Sequence, residues 1–221
     1  MYWILLTSIG LASLAAASPT TTPTCSPTSP ARTCPTKTIP NIIANFDDRP
    51  VGDRLIGPYH HLHFVNLTVA GKGHGLSARG IIPASPPHYA IAPPLPTEFA
   101  LVPRFDIIGT NTTSFDFHSI YFGCLSANAT KGSYSAVACR VNIDCATSLT
   151  PEGHYGPTFY DFTPSGPKRQ AMKFAQPSNY DYCVFAYFEL ISSSVGYAST
   201  LIVIDSFNYT IREGETGIFA P

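Results

Sequence analysis

Three aspartates stand where a hard cation could be held. Asp47 and Asp48 follow Ile42, Ala44 and Phe46, and Asp205 precedes Phe207, Tyr209 and Ile211, so strand parity puts Asp48 and Asp205 at the ends of core-facing rows. A carboxylate in such a row needs hydrogen-bond donors or a cation. Together with backbone carbonyls, Asp47, Asp48 and Asp205 would suit Ca²⁺, which takes oxygen ligands. The same acids serve equally as turn caps bonded to local amides, and no segment carries a complete Ca²⁺-loop motif. The two rows meet if the first and last strands are neighbours.

Histidines form a second cluster: His60, His61 and His63 in one segment, with His74 and His88 downstream. On a strand, His61 and His63 would share a face, as ligands of a transition metal must. No acid or cysteine stands at a supporting spacing, so exposed or turn-packed imidazole is the alternative outcome.

Signatures of catalysis are missing. Gly-x-Ser-x-Gly does not occur, and acids such as Asp144, Glu152, Asp161 and Glu189 are scattered without a paired-carboxylate signature. Tyrosines and histidines are plentiful enough for a lyase-type site, but no motif singles one out. The leading expectation is therefore a non-catalytic module that binds carbohydrate, a wall polysaccharide or a glycan. Tyr59, Tyr155 and Tyr160 are the candidate stacking residues, out of a set that also includes Tyr89, Tyr121, Tyr180 and Tyr182, and the Pro151–Tyr160 and Gly71–Pro103 connections are the loop surfaces expected to make contacts. The rivals are a structural or effector-like protein that binds another protein, and a polysaccharide-degrading enzyme.

The elements that must carry these residues follow from texture. Residues 1–17 read as a signal peptide: an apolar run from Trp3 to Ala17 ends in the small residues Ala15 and Ala17, and it is shorter than the roughly 20 residues that span a bilayer. Residues 18–40 form a Ser/Thr/Pro tract without aromatics, the composition of an extended, O-glycosylated stalk. Residues 41–221 alternate short apolar runs with Gly, Pro, Asn and Ser clusters, which predicts one all-β domain, an antiparallel, jelly-roll-like sandwich. Strands are expected at Ile42–Phe46, His61–Val69, Arg104–Ile108, Ser114–Cys124, Val137–Ile143, Thr158–Phe162, Met172–Ala175, Cys183–Leu190 and Leu201–Ile211. In Ser114–Cys124 the apolar parity changes between Phe117 and Ile120, which calls for a bulge near His118-Ser119.

The compartment is readable from cysteines and sequons. Six cysteines without a C-x-x-C spacing suit disulfides in a secreted, extracellular or wall-associated chain. Cys25 with Cys34 would close a local loop in the stalk, Cys124 with Cys139 would join neighbouring strands, and Cys145 with Cys183 remains by elimination. Asn66, Asn111, Asn128 and Asn208 head the four N-glycosylation sequons. With 13 basic against 14 acidic residues, nothing suggests a nucleic-acid partner, and no segment suggests a membrane one. No feature sets an oligomeric state.

The segments Asn45-Phe46-Asp47-Asp48, Pro58-Tyr59 with Leu62-His63-Phe64, Phe115-Asp116-Phe117, Tyr121-Phe122-Gly123-Cys124 and Ile204-Asp205 resemble a loosely defined group of small secreted proteins of filamentous fungi. That resemblance implies a jelly-roll-like sandwich of the kind found in carbohydrate-binding modules. The chain departs from the group's pattern at Cys145 and Cys183, and at His60-His61, where glycine is more usual.

Overall fold

The computed structural model describes residues 35–52, 58–71, 80–92, 104–107, 112–128, 133–147, 156–178 and 180–214. These residues form β-strands and one short 3₁₀ turn. In chain order the strands are β1 (Pro35–Ala44), β2 (Pro58–Tyr59), β3 (Leu62–Val65), β4 (Thr68–Gly71), β5 (Ile81–Ile82), β6 (His88–Ala92), β7 (Arg104–Ile107) and β8 (Thr112–Asn128). They continue with β9 (Ser133–Ala136), β10 (Cys139–Ala146), β11 (Thr158–Phe162), β12 (Gln170–Ala171), β13 (Lys173–Ala175), β14 (Phe185–Ser193) and β15 (Thr200–Gly214).

Two sheets pack face to face. The first is seven-stranded, in the order β13-β8-β15-β6-β4, with β1 also on β15 and β9 on β8; the second is six-stranded, β11-β10-β14-β7-β3-β2. Their pairings are antiparallel. Inward side chains meet across the gap: Phe64 of β3 lies against Phe207 of β15, and Phe117 of β8 against Phe188 of β14. Alternation builds this core directly. In β14, Ala186, Phe188 and Leu190 are buried while Phe185, Tyr187 and Glu189 are half-exposed.

The two longest strands change phase together. Between Asp205↔Tyr121 and Asn208↔Ser119, β15 uses one residue more than β8, and between Asn208↔Ser119 and Tyr209↔Phe117, β8 uses one more than β15. Two opposed bulges thus cancel, one at Ser206 (φ 48°) and one at His118. Consequently Ile202 and Ile204 face the core on one parity and Phe207, Tyr209 and Ile211 on the other, matching Phe122 and Ile120 against Phe117 and Phe115. The bulge expected near His118-Ser119 is present. Its counterpart in β15 was not expected, and it breaks the row in which Asp205 was to continue Phe207.

Three boundaries also differ from expectation. The stalk expected to run to Pro40 stops at or before Pro35, because Pro35–Ile39 pair with the far end of β15, Ile211 opposite Ile39. The single strand His61–Val69 is two strands divided at Asn66 (φ 59°). Within the connection read as Gly71–Pro103, β6 fits between β15 and β4, so Tyr89 is buried rather than offered to a ligand.

Candidate functional site

The acids come together only in part. Asp205 is fully buried; its carboxylate accepts the backbone N–H of Ser85 and of Ser206, each at 2.6 Å. Asp47 accepts the Ser85 hydroxyl at 2.8 Å and the His88 amide at 2.9 Å. Two carboxylates therefore grip one segment, Ser85–His88, that leads into β6. Burial pushes the Asp205 carboxyl up to about 7, against the lowering effect of its amide donors, and the neighbouring Asp47 charge adds to the rise. Asp48 is exposed and engaged elsewhere, accepting the Tyr59 hydroxyl at 2.7 Å. Among the described residues no group of three or more His, Cys, Asp or Glu is placed to hold a metal ion. His60 and His61 occupy the two-residue turn joining β2 to β3, both at positive φ (46° and 70°), so His61 and His63 do not form one strand face.

The candidate sugar platforms are placed differently from expectation. Tyr59 is 4 % exposed, its ring stacked on Phe46 and edge-on to Phe64, so it belongs to the core and cannot offer a face to a ligand. Tyr160 pairs with Val141 on the inward side, half-buried against Phe122. Tyr155 lies outside the described residues. The residue beside Tyr160 has the outward position instead: Phe159 is 47 % exposed.

Phe159 opens a row that crosses three strands. Register places Phe159 opposite Asn142, Asn142 opposite Glu189, and next to them Asp144 opposite Tyr187. Directly opposed residues share a face. The outward side of the six-stranded sheet therefore carries the exposed Phe159 with the half-exposed Glu189 and Tyr187, while Asn142 and Asp144 between them are buried. Tyr187 donates to Asp144 Oδ2 at 2.7 Å, and Asn142 Nδ2 approaches Glu189 Oε2 at 3.4 Å. Arg140 reaches over the Phe159 ring, 5.5 Å from its centroid, and pairs with Asp161 at 3.4 Å. The Asn142 Oδ1 atom is buried without a hydrogen-bond partner. Sequence reasoning missed this row because Asn142, Asp144 and Glu189 make no motif along the chain; the alternation in Cys139–Ala146 was its only linear signal.

Tyr187 is held above the ordinary phenol range by burial and by its bond to Asp144. Burial raises Tyr59, Tyr89, Tyr160, Tyr180 and Tyr209 as well. These hydroxyls stay protonated at neutral pH, as donors rather than bases.

Both expected disulfides of the domain are formed, Cys124–Cys139 and Cys145–Cys183. The first joins β8 to β10 and so bridges the two sheets, rather than linking neighbouring strands of one. Such bonds suit an oxidising, extracellular setting. Cys25 and Cys34 lie outside the described residues. Of the sequons, Asn66 occupies the turn between β3 and β4, Asn128 ends β8, Asn208 sits mid-strand in β15 with its Oδ1 buried and unpartnered, and Asn111 lies outside the described residues. No helix of the described residues is long and apolar enough to cross a membrane.

No protein-family model and no curated protein matches the chain. Two solved structures are similar in part. A DUF4465 family protein from Bacteroides caccae shares 12 % identity at a TM-score of 0.44, over 69 % of this chain and 79 % of that one. The K2 cleaved adhesin domain of Lys-gingipain shares 10 % identity at a TM-score of 0.31, over 79 % of this chain and 95 % of that one.

Proposed function

We propose that this chain is a secreted, non-catalytic module that binds carbohydrate on the outward face of its six-stranded sheet. One observation carries the reading: Phe159 stands exposed beside Arg140, and the register through the buried Asn142 and Asp144 sets the half-exposed Glu189 and Tyr187 on the same outward face, with Tyr187 fixed by its bond to Asp144. A sugar needs that combination, because it has an apolar C–H face and a hydroxyl rim. Secretion belongs to the same reading, supported by the apolar leader and the two disulfides. A structural cation belongs to it as well, with Asp47 and Asp205 supplying carboxylates. Added Ca²⁺ would then raise the unfolding midpoint over a chelated sample, and an unchanged midpoint would remove the cation from the proposal.

The test is retention of the secreted protein on β-1,3-glucan, cellulose and chitin particles, with reducing and unsaturated ends monitored in the same tubes. Saturable binding that Phe159→Ala weakens by about tenfold, without new ends, is the expected result. New ends would move the chain to the polysaccharide-degrading class, and binding to none of the polymers would favour a protein partner.

A further inference from the structure

The segment leading into β14 runs against β8 and β15 of the seven-stranded sheet, and it holds Tyr182 in an unusual way. Its φ is 59°, a left-handed conformation that a bulky side chain seldom takes, and its ring is 46 % exposed. Three elements hold it there. Asp116 of β8, only 5 % exposed, accepts the Tyr182 amide at 3.0 Å and also the Arg212 guanidinium of β15, with Nε at 2.8 Å and Nη2 at 2.6 Å. That guanidinium lies 4.1 Å from the centroid of the Tyr182 ring. The following residue is fixed twice, by the Cys145–Cys183 disulfide and by reciprocal backbone bonds of 2.7 and 2.8 Å between Cys183 and Phe115.

A buried ion pair, a disulfide and a strained backbone thus converge to stand one aromatic ring in solvent. Strain maintained by its surroundings at an exposed side chain is the mark of a functional position. The neighbours decide the class of ligand. Arg212 lies over the ring, Asp116 holds Arg212, and the exposed neighbour Asp181 adds its charge beside Arg212, so the apolar area is one ring wide and bordered by charge, too small for the apolar centre of a protein interface. One apolar face of ring size with a polar rim matches a single pyranose, whose C–H face stacks on an aromatic ring while its hydroxyls find acceptors beside it.

We propose that Tyr182 is an aromatic platform for one pyranose ring of a polysaccharide, with the exposed Asp181 carboxylate as a hydroxyl acceptor at its edge. The inference rests on the carbohydrate reading above and adds a second contact point, held by residues of the seven-stranded sheet and independent of Phe159. Asp116 and Arg212 are positioning residues, holding the ring without touching the sugar.

The experiment compares the full-length secreted protein with Tyr182→Phe, Tyr182→Asn and Phe159→Ala in depletion isotherms on β-1,3-glucan, cellulose and chitin particles, with unfolding midpoints measured alongside. Asparagine tolerates the left-handed conformation without the ring. Tyr182→Phe is expected to bind as wild type. Tyr182→Asn is expected to bind about tenfold more weakly, with a midpoint no lower than wild type. A Tyr182→Asn protein that binds like wild type, or loses binding only along with a lowered midpoint, overturns the platform. Wild-type protein retained by none of the three polymers overturns the platform and the carbohydrate reading together. Binding lost in Tyr182→Asn but intact in Phe159→Ala upholds the platform and removes the six-stranded sheet face from the reading.

Discussion

The Tyr59 hydroxyl lies 3.1 Å from the Phe46 amide, which donates to it, and gives its own proton to Asp48 at 2.7 Å. Phe46 is at positive φ (63°) in the turn after β1, so this bond anchors a disfavoured backbone. Tyr59→Phe would leave a buried amide unpaired. We expect a loss of about 1–2 kcal/mol in denaturant unfolding and unchanged polysaccharide binding, because the ring never reaches solvent. Asp205 makes a prediction about pH. Its folded pKa, about 7, stands above its unfolded value, so the native state binds the extra proton. The stability this group contributes is full below the unfolded value and is lost as pH rises through about 7. In metal-free buffer the unfolding midpoint should fall from about pH 4 to about pH 7 and level off above, and Asp205→Asn should flatten that slope; equal slopes would place the titration elsewhere.

At the scale of elements, the short parallel pair β5–β12 packs against β8 of the seven-stranded sheet, and Gly123 is what lets it approach. A Cβ at Gly123 would come 2.4 Å from Ile81 Cδ1, with the next atoms at 3.5 Å. Gly123→Ala should cost about 1–3 kcal/mol by overpacking. Because the obstacle is the tip of one side chain, Ile81→Val removes it, and the double variant should recover part of the loss in a double-mutant cycle. Additive losses would mean that the strand itself, not Ile81, is disturbed. The paired bulges at Ser206 and His118 have a clearer purpose: they let both long strands pack apolar residues inward along their whole length. The bulge in β8 was legible from its own phase change. That in β15 was written in the same way, Ile202 and Ile204 against Phe207 and Tyr209, but it was masked because Asp205 has the parity of Phe207.

For the whole molecule, the disulfides set how much the unfolded chain is restrained. Cys124–Cys139 spans 15 residues and Cys145–Cys183 spans 38. The chain-entropy account assigns about 3 kcal/mol to the shorter loop and about 4 kcal/mol to the longer. Replacing each pair by serine should therefore destabilise the fold in that order, measured by denaturant midpoints under non-reducing conditions. A larger loss from Cys124–Cys139 would show that its link between the two sheets matters more than loop length. Both pairings were accessible from parity and elimination, since each cysteine lies on a buried row.

The sequence by itself determined the class of fold. Period-two burial, turn clusters and even cysteine count are local properties, and they led to an antiparallel sandwich and to the bulge in β8. Tertiary structure alone decided which side chains are available. Tyr59 and Phe159 differ little as residues in a linear reading, yet one is sealed between Phe46 and Phe64 and the other stands outward beneath Arg140. The row Phe159–Asn142–Glu189 joins residues far apart in the chain, because cross-strand register sets neighbours at a spacing of about 5 Å whatever their separation in sequence, and the Tyr182–Arg212–Asp116 cluster does so through side chains that reach between β8, β15 and the segment before β14. A site made of such neighbours leaves no linear motif.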